Sequence, residues 1–247
     1  MRLMILSLAV SCLTPSVAEA QLPSSQAVAD GTLEVTLSST LLNSYRRGNL
    51  DTWWAEQTGD PGRKVDQGSP AFFALEGRYI IALPDRKGWL APGIGIIFPA
   101  DHALWGSSIF FGGFQRLVMQ PAIASFHASM ILPVEQLDGA TAEFGGGILI
   151  GWVSGEYLGN DSGGDFDNKI SRSPGLGFVL TGGANYMIND MFGLSLKSGL
   201  RFLKAGLSTA GTDYFLDSGD KVKASLSGFY LTIGVTLRPE AIMAARK

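Results

Sequence analysis

The stretch that most constrains this chain is GFYLTIGVTL, residues 228–237. Phe229, Leu231, Ile233, Val235 and Leu237 take one parity; Gly228, Tyr230, Thr232, Gly234 and Thr236 take the other. A period of two over ten residues marks a β-strand with one apolar face, because a helix brings residues three and four apart together instead. The same alternation recurs in TLEVTLSSTLLN, where Leu33, Val35, Leu37 and Leu41 oppose Glu34, Thr36, Ser38 and Thr40. It returns in 175–187, with Leu176, Phe178, Leu180, Ala184 and Tyr186 against Gly177, Thr181, Gly183 and Asn185.

Followed along the chain, this reading predicts eight strands, at 31–44, 70–83, 89–98, 121–132, 141–157, 175–187, 192–206 and 223–238. Most reach the length of about nine to eleven residues that crosses a bilayer at a tilt, longer than an ordinary soluble strand. The connections alternate. Segments 84–88, 133–140 and 188–191 are short, whereas 45–69, 99–120, 158–174 and 207–222 are long and rich in Gly, Asp, Ser and Asn. Three turns on the side of the termini and four loops opposite is the count of an eight-stranded up-and-down barrel. Pro92 cannot donate to a ladder, so the third strand is expected to start as late as Gly93. SSIFFGGFQ, 107–115, is either a strand extension or an extra hairpin that makes ten strands.

Composition supports an all-β, antiparallel transmembrane barrel. Mean hydropathy is positive, +0.19, and 46% of residues are hydrophobic. Past residue 20, however, no apolar run reaches the 18 or so residues of a spanning helix. Glycine, 32 of 247 residues, is about twice its usual frequency. The polar parity is mostly Gly, Ser, Thr and Asn, with few of the Lys and Glu that would cover a sheet facing water. Small side chains suit the lumen of an eight-stranded barrel, which side chains alone fill. Aromatics gather at strand ends: Trp89, Phe144, Tyr186 and Phe192 near the short turns, and Phe73, Trp152 and Phe202 towards the long loops, as in two interfacial girdles. The alternative is a soluble periplasmic ligand-binding calyx with its faces inverted, since both kinds of barrel share the period.

Residues 1–20 read as a secretory signal: one positive charge, a short apolar run and the small-x-small end VAEA, with cleavage expected after Ala20. Cys12 leaves a lipoprotein alternative. The expected organisation is a signal peptide at 1–20, a periplasmic segment at 21–30, the barrel at 31–238 and a periplasmic tail at 239–247. The processed chain would hold no cysteine. The formal net charge of −3 survives processing, since Arg2 and Glu19 both leave, and it gives no basic bias towards nucleic acid.

Together, the leader, the eight alternating strands, the short turns opposite long polar loops and the final apolar strand resemble the small outer-membrane barrels typified by the OmpA transmembrane domain, OmpX and OmpW. The resemblance spans about 31–238 and is one of architecture. It departs at the end, where Leu237 is followed by RPEAIMAARK instead of closing on an aromatic. It implies a monomer in a Gram-negative outer membrane with periplasmic termini. Its partners would be membrane lipids, lipopolysaccharide and the barrel-assembly machinery, with no cofactor. Its role would be structural or a narrow passage for small solutes.

Three groups of residues bear on chemistry. Glu34, Glu76, Arg78, Glu143, Lys197 and Arg201 fall on the inward face, where charges must pair; they make either a plug or a gate that switches partners. His127 and Ser129 share a strand face, and Glu143 follows across a turn, a base–nucleophile pattern. The lipid A deacylase PagL uses such a His-x-Ser with a Glu. Here Met130 stands where that pattern has Asn, the site lies mid-chain, and parity points His127 into the lumen, away from acyl chains. Finally, Asp161, Asp165 and Asp167 in NDSGGDFDN carry oxygens enough for a weak calcium site, at spacings unlike an EF-hand loop. Aromatics in DTWWAEQ and TDYFLDSGD either contact a partner or sugar or pack loop against loop, the latter being the expectation.

Overall fold

The computed structural model describes residues 31–43, 48–60, 72–84, 87–99, 103–110, 113–161, 164–172, 174–209 and 212–240. The segments assigned above to the signal and the periplasmic lead-in, and the tail from 241, lie outside them. Eight antiparallel strands close into a ring: β1 (Thr32–Asn43), β2 (Phe72–Ala82), β3 (Trp89–Pro99), β5 (Gly113–Pro133), β6 (Ala140–Asp161), β8 (Gly175–Met187), β9 (Phe192–Thr209) and β12 (Gly228–Leu237). Closure is made by β1 on β12, with Val35 opposite Leu237 and Ser38 opposite Gly234. The predicted barrel is the observed fold, and its short turns fall where the sequence placed them.

Among the described residues, four further strands lie outside the ring. β4 (Ala103–Phe110) pairs with the upper part of β5, and β7 (Gly164–Arg172) bridges β6 to the end of β9. β10 (Thr212–Asp213) and β11 (Lys223–Ser225) fold back on β9. SSIFFGGFQ is thus a hairpin whose second arm belongs to a ring strand, and the ring keeps eight members. NDSGGDFDN, expected as a loop, is the β6–β7 hairpin. The last predicted strand is two: at Ser227 a side-chain hydroxyl replaces the ladder, accepting from Leu203 N at 2.8 Å and donating to Leu203 O at 3.0 Å.

Pro92 lies inside β3, not before it. Its missing N–H shows on the β2 side, where the register passes from Arg78↔Gly93 directly to Ile81↔Leu90. On the β5 side Pro92 still faces Ala128.

The two faces of the ring are inverted relative to a soluble protein. Ile94, Phe126, Ile148 and Leu176 point outward, 63%, 54%, 61% and 77% exposed, while Glu34, Arg78, Glu143 and Arg201 point inward and are buried. A soluble calyx would place these sets the other way round, because burying charge beneath exposed Leu and Phe reverses the hydrophobic driving force. The inward-polar parity is possible only if hydrocarbon wets the exterior. Among the described residues no helix is long and apolar enough to cross a membrane; strands do the crossing.

β5 and β6, at 21 and 22 residues, are about twice the nine to eleven that a bilayer requires. The excess rises beyond the apolar belt into a head. There α1 (Leu50–Thr58) lies across the mouth of the barrel, with Leu50, Trp53 and Trp54 buried at the i, i+3, i+4 spacing of one helix face. Gly59, at φ 65°, ends it in the left-handed conformation that a Cβ disfavours. Asn49 ties the helix to β11, accepting from Lys223 N and donating to Lys221 O.

Candidate functional site

The lumen holds one connected network of charges. Glu34 on β1 takes both Arg78 of β2, at 2.7 Å, and Arg238, at 2.9 Å. Arg78 passes its other guanidinium nitrogen to Glu143 of β6. Glu143 also accepts from Asn185 Nδ2 at 2.9 Å, and Lys197 of β9 sits 3.4 Å from its second oxygen. Lys197 donates to Glu76 Oε1 at 2.7 Å, and His127 Nε2 lies 3.3 Å from that same oxygen. Each charge is therefore compensated by a neighbour from another strand, which is what makes burial of so many tolerable.

Glycine makes room for it. Arg78 stands directly across from Gly93, and Glu76 from Gly95. His127 faces Gly93 on one side and Gly147 on the other. Glu143 and Lys197 share Gly183, and Arg201 faces Gly228. A Cβ on Gly93 would sit 2.7 Å from His127 Nε2, and one on Gly183 would be 3.0 Å from Lys197 Cγ. The high glycine content of the inward face is space for long charged side chains in a lumen otherwise too narrow for them.

Of the six inward charges expected from parity, Glu34, Glu76, Arg78, Glu143 and Lys197 come together. Arg201 is turned upward, its Nε on the Leu226 carbonyl at 2.8 Å and its guanidinium 5.6 Å from the Tyr230 ring centre. Arg238 was missed. It closes the strand expected at 223–238 and continues the even, inward parity of Thr236 and Gly234, so its inward position is a signal present in the sequence.

The His127–Ser129–Glu143 group does not assemble. Glu143 stands opposite Ile131 and Ser129 opposite Gly145, so Glu143 sits two residues along the strand from the position facing Ser129. Glu143 is taken up by Arg78, and the carboxylate beside His127 is Glu76. Ser129 is 1% exposed and its hydroxyl has no hydrogen-bond partner among the described residues. Asp165 and Asp167 lie exposed on β7, opposite Asn160 and Leu158. No group of three metal-ligating side chains occurs among the described residues.

The lumen is closed above and below the network. On the short-turn side Ile80, Ala91 and Ile131 pack together with Trp89 against them. Trp89 is therefore part of an inner plug, not of the girdle to which the sequence reading assigned it. Towards the head the inward series becomes apolar: Ile123, Leu149, Val179 and Leu203, then Leu117, Met119, Val153 and Leu207. Trp53 caps this core edge-on to Tyr157 and to Tyr214, both at 5.3 Å between ring centres. Burial pushes the Tyr214 hydroxyl above its ordinary pKa, so it stays neutral there. The aromatics of DTWWAEQ and TDYFLDSGD do pack on one another. Between plug and cap remains a cavity of about 80 Å3 with a mixed lining, in which Glu76, His127 and Lys197 meet the apolar Ile97, Leu149 and Val179.

No protein-family model matches the chain, and no curated protein matches it. Among solved structures it is similar to Ail, the attachment invasion locus protein of Yersinia pestis, at 11% identity and a TM-score of 0.42, covering 85% of this chain and 99% of Ail. It is also similar to Neisserial surface protein A, at 14% identity and a TM-score of 0.37, covering 83% of this chain and 96% of that one. What the barrel does has to be read from its own side chains.

Proposed function

We propose that the chain is a monomeric outer-membrane barrel whose spanning part is a sealed anchor and whose working part is the rigid head above it. Short turns and termini face the periplasm; the head stands outside, among lipopolysaccharide. The observation that carries this is the lumen itself, blocked in three successive layers: apolar plug, compensated charge network, apolar cap. A passage for solutes would have to part Arg78 from Glu143 and also lift Trp53 and Leu117 from the mouth, exposing an uncompensated buried charge on the way.

Hydrolysis of lipid fits the site poorly. The candidate nucleophile is buried on the lumen side, and the carboxylate that was to orient its base is bound to an arginine. No cofactor and no nucleic acid are called for.

Planar-bilayer recording of the purified, folded protein tests the sealed barrel. The expected trace is silent, for the native protein and for Trp53→Ala alike, because the charge layer blocks independently of the cap. Reproducible single-channel steps from the native protein, altered in size by Arg78→Ala, would instead establish the narrow passage. Membrane fractionation with heat-modifiable gel migration tests the location: the folded barrel should run ahead of its boiled form and sediment with the outer membrane.

A further inference from the structure

The outer wall of the barrel carries a shallow, open groove floored by small residues. On the face turned away from the lumen, Gly77, Pro92, Ala128 and Gly146 form the floor of a depression of about 630 Å3. Pro92 stands across from Ala128, and Ala128 across from Gly146, so the floor crosses from strand to strand. One step along, Ile94, Phe126 and Ile148 are likewise opposite one another and rise as its wall. Leu33 and Tyr79 close the β1 end. From β1 to β6 the groove crosses four inter-strand spacings, about 19 Å at roughly 4.8 Å each. That is comparable with the ~15 Å of acyl chain in one leaflet of a ~30 Å hydrocarbon core.

A second feature lies at the same place. Pro92 offers no N–H to β2, so the Tyr79 carbonyl receives no ladder hydrogen bond from it, and two ladder pairs are lost there. In hydrocarbon, where water cannot substitute, such a carbonyl favours any donor brought to it. Pro92 is three residues from the start of β3 at Trp89, and the Tyr79 ring lies beside Gly31 at the start of β1. The polar end of the groove is thus near the short-turn interface, within reach of a lipid headgroup.

We propose that this groove binds one glycerophospholipid of the periplasmic leaflet, an acyl chain along the floor and the donor-bearing headgroup region at Tyr79. The proposal rests on the membrane reading above and on its orientation. A second copy of the barrel is a poorer occupant: a convex wall would rest on Ile94, Phe126 and Ile148 and leave the floor empty, whereas a flexible chain fills it. Lipopolysaccharide belongs to the opposite leaflet.

Native mass spectrometry of the full protein, extracted in a mild non-ionic detergent, tests this. One phospholipid per chain is expected to stay bound. Ala128→Phe fills the floor and should lower that occupancy at least tenfold. Ala122→Phe adds the same ring to the same strand outside the groove and should leave occupancy unchanged. Ile148→Ala, which lowers the wall without adding bulk, should reduce it several-fold. No retained lipid on the native chain, or equal retention in Ala128→Phe and Ala122→Phe, would overturn the site. So would a lipid A adduct, or a dimer mass abolished by Ala128→Phe. Heat-modifiable migration of each variant reports separately on the barrel: its loss in the native protein would sink the membrane reading and the site with it, whereas lost lipid on a chain that still migrates as a folded barrel sinks the site alone.

Discussion

The same strands serve two regions of this molecule with opposite polarity. Within the belt, β9 turns Ser195, Lys197 and Arg201 inward and Leu194, Leu196, Leu200 and Phe202 outward. From residue 203 on, Leu203, Ala205 and Leu207 turn inward and Lys204 outward. β6 does the same, passing from inward Glu143 with outward Phe144 and Ile148 to inward Leu149, Val153 and Tyr157 with outward Glu156. β5 passes from inward His127 and Ser129 with outward Phe126 and Met130 to inward Ile123, Met119 and Leu117 with outward Arg116. The period of two never breaks; only its sense reverses. The pleat is a property of the backbone, whereas the face that takes the apolar residues is set by what wets the outside, hydrocarbon below and water above. The head is an ordinary soluble core built on strands that, a few residues earlier, form an inverted one.

Substitutions in belt and head should act on different observables. The largest effect is expected in the charge layer. Glu143→Ala removes the one carboxylate that Arg78 and Lys197 share, and removing one partner of a buried pair typically costs about 3–5 kcal/mol. The temperature at which the folded band converts to the unfolded one on a gel should fall sharply. An unchanged conversion would mean that the layer contributes nothing to holding the ring. Trp53→Ala removes a similar amount, about 3–5 kcal/mol by the usual cost of truncating a buried aromatic, but it is confined to the head. Limited proteolysis should then cut in the 45–69 or 207–222 segments while the belt still migrates as a folded barrel. Loss of both together would show that head and belt unfold as one unit.

Smaller effects sharpen the point about solvent. A lysine in place of outward Ile94 should cost about 2–4 kcal/mol if that position lies near the bilayer midplane. Lys204→Leu, on the outer side of the head, should be close to neutral for folding and lower solubility instead. Equal penalties in urea titrations of vesicle-bound protein would erase the boundary drawn between belt and head. Smallest of all is Lys221→Ala, which breaks an exposed pair with Asp213 at the head's edge; a change below about 1 kcal/mol is expected.

How much was legible in the sequence can be judged residue by residue. Alternation is local, so strand existence, the inward side of each strand and the short turns could be read from residues such as Phe229 and Thr232 without knowing any neighbour. The reversal of polarity was equally present, at Phe202–Leu203 and Trp152–Val153. It was passed over because a belt-level pattern was extended to the whole strand length. α1 was marked by Leu50, Trp53 and Trp54 followed by Gly59, a helical spacing hidden in what looked like a polar loop.

Other features could not have been found that way. That Arg78 reaches Glu143 across the lumen, that Glu76 and not Glu143 lies beside His127, and that Trp89 plugs the barrel from inside all depend on which strands face one another once the ring closes. So does the groove at Ala128, whose floor takes one residue from each of four strands. Consecutive residues carry the two-residue period and the polarity of each parity, so an antiparallel barrel with one charged face is legible in the sequence, while eight or ten strands and a calyx with inverted faces both stay open there. Who pairs with whom follows from ring closure and register, which join residues as far apart as Glu34 and Arg238, and no local pattern records the distance between them.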